Sequence, residues 1–522
     1  MSQKTPWGMI LIAASFLFLS CGGGGGEGAD TQDQDTVGEE LTAADMEGED
    51  QPVGDEGDGG DGDIACTCTV DEDCDNGLIC DGEETCDGCL CRPGSPALGV
   101  VCRESAGECD GTNPECPENE FEAQGAPCHG GDGACDGAGT CLYCGDGTCS
   151  AELEDSISCP EDCCTAVGVV AETQITDVPY NFGKSHPSLV WTGSEYGVSW
   201  ADTRSTSTEI YFARISASGS KLDPEAAITD VDGYRSATPS LAWTGTEYGV
   251  SWADSRTLGN PEIFFARISD SGVKVGYDTE ISETVYDEYP SLVWTGSEYG
   301  VSWRNGDSKI SFARISGSGT SIGSNVQITT NPARTNTPSL AWTGGNYGVS
   351  WQDERDGNFE IYFAMISASG SKLGFDIRIT NASGFSFSPS LVWTGSEYGV
   401  SWQDDREGNY EIYFARISDS EIKIGSDIRI TSNAGQSSLP SLAWTGSEYG
   451  LSWQDDSGGN YGIYFVRLSA SGDLVSPTIQ ITDPSDPSTA PSLVWAGSEY
   501  GISWVGGPDY YEEIYFARIG CL

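Results

Sequence analysis

The chain has 522 residues, with 24 Lys and Arg against 81 Asp and Glu, a formal net charge of −57, two His and 20 Cys. So few cations exclude a nucleic-acid-binding surface, which needs clustered Lys and Arg. With only His129 and His186 to draw on, a zinc site built from imidazoles or a Ser-His-Asp triad is hardly attainable. Solubility and self-repulsion account for the acidity, and a calcium-rich or cationic surrounding is compatible with it.

Taken in chain order, residues 1–21 read as a targeting segment. Lys4 gives a positive start, and Met9–Leu19 is an apolar run too short to span a bilayer as a stable helix. The run ends in Phe18-Leu19-Ser20-Cys21, followed by five glycines. This resembles the bacterial lipoprotein signal, with Phe18 where Leu is usual. The resemblance implies Cys21 as the lipidated first residue, and lipidation there would supply enough buried CH₂ groups for stable anchoring. The other reading is an ordinary secretory signal cleaved nearby. Residues 22–63 carry 15 acidic side chains and no Lys or Arg. Such a stretch cannot bury enough surface to fold and repels itself, so it reads as a disordered acidic linker that holds the folded part off the membrane. The Asp-Gly runs over Asp55–Asp63 do not match EF-hand spacing, so no cofactor is expected beyond loosely bound calcium.

Eighteen of the 20 cysteines fall between Cys66 and Cys164. Behind an export signal, that density reads as disulfides holding Gly- and Asp-rich loops too small to build a core. Zinc is the competing reading for the close pairs Cys66-Thr-Cys68 and Cys86-Asp-Gly-Cys89, but no paired knuckle of the usual spacing follows. Within residues 64–143, Asp73-Cys-Asp-Asn-Gly-Leu-Ile-Cys80 with Gly82-Glu-Glu-Thr-Cys86 resembles a Cys-rich repeat of myxobacterial surface proteins. Val101-Cys-Arg103, Glu108-Cys-Asp110, Cys116-Pro117, Gly125-Ala-Pro-Cys128 and Gly139-Thr-Cys141 resemble the disintegrin-like domain of metalloprotease-disintegrins. That resemblance implies an adhesive loop at Arg103–Asp110. The chain departs from the family in lacking Arg-Gly-Asp and an extra Cys between Cys109 and Cys116, which favours a structural module over integrin binding. Residues 144–165 form a separate four-Cys unit, Cys144-Gly-Asp-Gly-Thr-Cys149 through Cys159-Pro-Glu-Asp-Cys163.

From residue 170 to 522 one sentence is written seven times. Pro187-Ser-Leu-Val-Trp-Thr-Gly-Ser-Glu-Tyr-Gly-Val-Ser-Trp200 recurs from Pro239, Pro290, Pro338, Pro389, Pro440 and Pro491, at steps of 48 to 52 residues. A fixed period in this range means a solenoid, a propeller or an array. Each unit holds four short β-branched and aromatic runs divided by turn residues, in the first unit Ser188–Trp191, Tyr196–Trp200, Glu209–Ile215 and Ala226–Thr229. Several are apolar on both faces, which radially stacked four-stranded sheets satisfy. The fold class is therefore all-β, a seven-bladed β-propeller preceded by a disulfide-rich, loop-dominated module and the acidic linker. The last copy lacks a fourth strand, while an orphan one, Glu172-Thr-Gln-Ile-Thr176, precedes the first; together they would clasp the ring shut. Cys521 is the only Cys of this region, and a bridge to Cys164 would staple the ring where its ends meet.

Repetition separates scaffold from site. Asp202 with Arg204, Asp254 with Arg256, Asp353 with Arg355 and Asp404 with Arg406 occupy one turn, and Arg214, Arg267, Arg314, Arg416, Arg467 and Arg518 one strand position. Residues repeated in most blades serve the blade, whereas catalysis needs a singular cluster, so no catalytic residue is assigned. Trp-x-Asp-x-Arg followed by Glu-Ile-Tyr-Phe-Ala-Arg-Ile resembles uncharacterised bacterial propeller repeats, and sialidase-type Ser-x-Asp-x-Gly-x-Thr-Trp turns do not occur. The segments that differ between copies join each fourth strand to the next blade and open on the same face as the turn between strands two and three. The candidate ligand-binding residues there are Tyr234, Arg235, Tyr286, Tyr289, Arg334, Phe385, Phe387, Tyr410, Tyr461, Tyr510 and Tyr511. Exposed aromatics beside Asp and Asn suit an extracellular glycan or protein. The expectation is an exported, lipid-anchored protein of the bacterial cell envelope that acts in adhesion or scaffolding, with no nucleic-acid partner. A polysaccharide-active hydrolase or lyase on the same ring is the alternative.

Overall fold

The computed structural model describes residues 167–521, apart from 179–182, 206, 231–232, 258 and 508–510, together with the backbone of five short strands before them. Those short strands form a hairpin, Thr85–Asp87 with Leu90–Arg92, and a three-stranded sheet of Pro127–Cys128, Gly133–Cys135 and Cys141–Tyr143. The export signal with Cys21, the acidic linker and Cys164 lie outside the described residues.

Seven four-stranded antiparallel sheets follow, one per repeat. Blade 2 is representative, with Ser236–Trp243, Glu247–Asp254, Glu262–Ser269 and Lys274–Glu280 paired in chain order. The first strands of successive blades pack on one another around the axis and form the inner wall. Each blade buries one tryptophan of the repeat completely: Trp200, Trp252, Trp303, Trp351, Trp402, Trp453 and Trp504. A sheet apolar on both faces needs a neighbour on both, and only closure gives the first and last blades theirs.

Two contacts repeat around the whole ring. The tyrosine of each Tyr-Gly pair packs directly against the glycine of the preceding blade. A Cβ on Gly197 would stand 2.4 Å from Tyr248 Cε1, and one on Gly501 would stand 2.4 Å from Tyr196 Cε1, which joins blade 7 to blade 1. The serine of each Pro-Ser-Leu accepts the Leu N–H of the following blade. Leu241 N donates to Ser188 Oγ at 3.0 Å, and Leu189 N closes the circle on Ser492 Oγ at 3.1 Å. These serines cap the inner sheet edges, whose N–H groups would otherwise stand unpaired.

The clasp is present. Val167–Gln174 pairs antiparallel with Glu513–Cys521 as the outer strand of blade 7, starting just ahead of the expected boundary at 170. Glu513 on the last strand holds the segment that leads into blade 1: it accepts Thr176 Oγ1, accepts the Val178 N–H at 3.1 Å, and pairs at 3.1 Å with Lys184, the buried first residue of blade 1. Cys521 is disulfide-bonded.

The fourth strands differ from expectation. They begin earlier, at Lys274, Ser321, Lys372 and Lys423, and the Ile-Thr pairs lie just past them. Ile228 N donates to Ile210 O and Thr229 Oγ1 accepts the Ile210 N–H, both at 2.8 Å, so the pair folds inward as a buried plug. A β-branched residue beside a hydroxyl has strand composition, and the sequence pattern does not separate the two roles.

Gly348→Ala should lower stability, because its Cβ would stand 2.3 Å from Tyr398 Cε1. A loss of about 1–3 kcal/mol is expected, read as a lower melting temperature of the full-length protein. Unchanged melting would show that the tyrosine-on-glycine contact does not constrain the ring.

Candidate functional site

The repeated polar residues are consumed by the scaffold. In blades 1, 2, 4 and 5 the tryptophan Nε1 donates to the aspartate two residues on, at 2.8 to 3.1 Å. That aspartate also holds the following arginine, Arg406 to Asp404 at 2.6 Å. The guanidinium then lies over an aromatic ring of its own blade, Arg406 over Tyr413 at 4.3 Å and Arg355 over Tyr362 at 4.1 Å. Burial would raise the Asp404 carboxyl, but hydrogen bonds from Arg406 and Ser386 outweigh it and hold the group below its usual value. The third-strand arginines pair with the glutamate of the fixed turn, Arg214 with Glu195 at 2.7 Å, and Glu195 also accepts Tyr248 Oη of the next blade at 2.9 Å. A small surface hollow at the seam of blades 6 and 7 is lined by this same unit, Glu448, Arg467, Glu499 and Tyr500, beside Cys521.

The variable face is different. The residue before each repeat proline, His186, Thr238, Tyr289, Thr337, Ser388, Leu439 and Ala490, is left-handed, with φ between 44° and 57°. A non-glycine residue there costs roughly 1 kcal/mol or more. In all seven blades the first strand slips register at this point, between Ser185 and Ser188 in blade 1. The slip is a bulge at the mouth of the ring that the first strands enclose, and the residue it sets left-handed differs from copy to copy.

An aromatic patch lies on the same face across blades 4 and 5. The Phe385 and Phe387 rings are parallel within 4°, with centroids 5.8 Å apart. Phe387 also contacts Phe359 at 5.2 Å and Tyr410 at 6.0 Å. Phe385 is 42% exposed, and its N–H donates to Asp405 Oδ1 at 2.6 Å. Arg334 borders the patch, paired with Glu354 at 2.8 Å and 5.9 Å from the Phe359 ring centre. Burial and the nearby Asp405 raise the Tyr410 hydroxyl above its usual value.

The structure thus brings together Arg334, Phe385, Phe387 and Tyr410. It adds Phe359, which sequence reasoning missed although it stands just before the third strand, as Tyr410 and Tyr461 do. Tyr461 belongs to the next seam, where its carbonyl accepts the Ser488 N–H at 2.7 Å. Tyr234, Arg235, Tyr286 and Tyr289 form a second group, on blades 2 and 3; Tyr234 and Tyr286 are exposed, Tyr289 partly buried. Tyr511 is exposed near the last strand, and Tyr510 lies outside the described residues. Among the described residues no group of three or more His, Cys, Asp or Glu could hold a metal.

Blade 3 breaks the repeat. Its turn reads Trp303-Arg304-Asn305, so the usual aspartate is missing and Arg304 enters. Asp287 supplies a carboxylate from the incoming segment instead. It is completely buried and accepts the Gly306 N–H and Thr284 Oγ1, both at 3.0 Å. Burial pushes its carboxyl up to about 6, against the lowering effect of those bonds.

No protein-family model matches the chain. It is similar to human disintegrin and metalloproteinase domain-containing protein 19, 33% identical over 89 residues, which are 13% of this chain and 9% of that protein. It is likewise similar to mouse disintegrin and metalloproteinase domain-containing protein 12, 36% identical over 77 residues, 14% of this chain and 8% of that protein. The matches thus span less than a tenth of those relatives' length. Among solved structures it resembles a subtype N10 neuraminidase-like protein of a bat influenza virus, 9% identical with a TM-score of 0.39, over 55% of this chain and 98% of that one. That likeness concerns the fold alone.

The Asp287 carboxyl is raised on folding, so its charge opposes folding. The penalty is absent below the unfolded value of 3.8, grows as pH rises, and is complete above about 6. Asp287→Asn should therefore stabilise the protein at pH 7.5, by up to about 3 kcal/mol, and leave it nearly unchanged at pH 3.5. Melting curves at the two pH values check this, and equal effects at both would contradict it.

Proposed function

We propose that this is an exported, lipid-anchored surface protein whose propeller binds an extracellular glycan on its variable face, for adhesion or scaffolding. The observation that supports the reading is the Phe359, Phe385, Phe387 and Tyr410 patch on the face where the copies disagree. Flat apolar rings offer packing surface for the C–H faces of sugars, while Asp405, Arg334 and Glu354 at the border offer hydrogen bonds to hydroxyls. The copies differ most on this face, and at the seam of blades 4 and 5 four of its aromatic rings are in mutual contact. Exposed aromatic clusters on a water-facing surface mark interaction sites. The Cys-rich region and acidic linker would serve as the stalk, and Cys21 as the anchor.

The full-length protein on a glycan array should bind selected oligosaccharides. Phe385→Ala with Phe387→Ala should weaken that binding about tenfold or more while leaving the melting temperature nearly unchanged. Undiminished binding would remove the patch from the account, and reproducible release of shortened saccharide would favour the hydrolase or lyase alternative. Cys21→Ala should abolish incorporation of labelled fatty acid and move the protein out of the membrane fraction; persistent labelling would contradict the assigned anchor.

A further inference from the structure

The mouth of the ring is not seven-fold in its hydrogen bonding. In one half of the ring a glutamine from the preceding blade caps the N–H of the left-handed residue. Gln352 Oε1 accepts Ser388 N at 3.1 Å, Gln403 Oε1 accepts Leu439 N at 2.9 Å, and Gln454 Oε1 accepts Ala490 N at 2.9 Å. In the other half the same second-strand positions hold Val505, Ala201 and Ala253, which cannot accept. His186, Thr238 and Tyr289 therefore receive no such cap. The missing glutamines also leave a hydroxyl alone. Thr337 Oγ1 donates to Gln352 at 2.8 Å, whereas Thr238, facing Ala253, has a buried Oγ1 with no hydrogen-bond partner.

The charges of this half are equally singular. Among the described residues of the propeller Arg235 is the one arginine whose guanidinium pairs with no carboxylate. It stands three residues before Thr238, between the blades that carry His186 and Tyr289. Arg304, on blade 3, uses one Nη for Glu288 at 2.5 Å and keeps a buried Nε without a partner. Glu288 is thus already engaged. Crowding of protein around the imidazole and the Arg235 cation hold His186 below its usual value, so it is neutral at physiological pH. A guanidinium without a counter-charge, beside donors without acceptors, has the chemistry of an anion site.

We propose that the mouth of the ring at blades 1 to 3 is a carboxylate pocket, with Arg235 as the charge partner and Thr238 and Tyr289 as donors, and that it selects uronic-acid sugars. The selection of an acidic sugar rests on the glycan reading above; the carboxylate pocket does not. The planar guanidinium fork matches a carboxylate bidentately, and the neutral donors around it suit a single negative charge. The chain's charge of −57 opposes such a ligand at long range. That field is screened over about 10 Å in 0.1 M salt, which leaves short-range pairing to decide.

The test titrates glucuronate and glucose separately into the full-length protein and follows the His186 imidazole by NMR, its resonance assigned with His186→Asn. Glucuronate should shift it saturably and glucose should not. Arg235→Ala should weaken the response about tenfold or more, and it removes no pairing from the fold. Ala201→Gln with Ala253→Gln, which installs the caps of the other half, should weaken it similarly. A null response, an equal response to glucose, or a response that survives Arg235→Ala overturns the pocket. Tighter binding of a dipeptide through its carboxyl terminus overturns the sugar assignment in favour of a protein ligand. Glycan-array binding indifferent to sugar charge would sink this inference and leave the proposed function standing. Glucuronate binding through Arg235 without any array binding would do the reverse.

Discussion

The contact on which this ring depends is a tyrosine ring packed against a glycine of the blade before it. It occurs at all seven seams, including the one that joins the end of the chain to its beginning. The ring leaves no room for a Cβ, so the glycine is a steric requirement of close packing rather than a source of flexibility. The same tyrosine packs against its own blade's tryptophan, Tyr196 with Trp191 at 4.5 Å, and against a phenylalanine of the preceding blade, Tyr196 with Phe516 at 4.7 Å. Geometry of this kind favours tilted rings, which contribute beyond the area they bury. Because each seam requires both blades, no blade can be completed alone, and the closing seam needs the strand at Val167–Gln174 as well.

That dependence divides the molecule into two faces. On the face of the Thr-Gly-Ser-Glu turns, threonine caps its own hairpin, with Thr192 Oγ1 accepting the Glu195 N–H at 3.0 Å, and glutamate ties arginine and tyrosine across the seam. Blade 4 alone departs from the pair, with Asn346 and Met365 where the other blades carry glutamate and arginine. On the other face each first strand carries a bulge with one left-handed residue, held in place by the proline after it and by the packed strand below. The scaffold tolerates seven such residues and uses their side chains for none of its core packing. Strain retained in every copy while the side chain changes is what a presenting surface requires.

The architecture was legible in the sequence because its determinants are local and repeated. The Pro-Ser-Leu and Glu-Tyr-Gly units report strand, turn and seam together, and the orphan strand before the first copy announced the clasp. What sequence hid depended on partners far apart in the chain. Ile228 and Thr229 read as strand because composition does not tell a ladder residue from a plug. Phe359 escaped notice because its neighbour Phe387 belongs to another blade. The asymmetry of the mouth was out of reach, since Gln352 caps Ser388 36 residues later, and the meaning of Ala201 and Ala253 appears only where such a cap is missing.

If the repeated face builds the ring and the variable face binds, the two faces should respond differently to ligand. Amide hydrogen exchange of the full-length protein, with and without the oligosaccharide that binds it tightest, tests this most directly. Protection is predicted in the segments leading into Pro239, Pro290, Pro338 and Pro389, with the Thr-Gly-Ser-Glu hairpins unchanged. Protection confined to those hairpins, or to the seam beside Cys521, would contradict it.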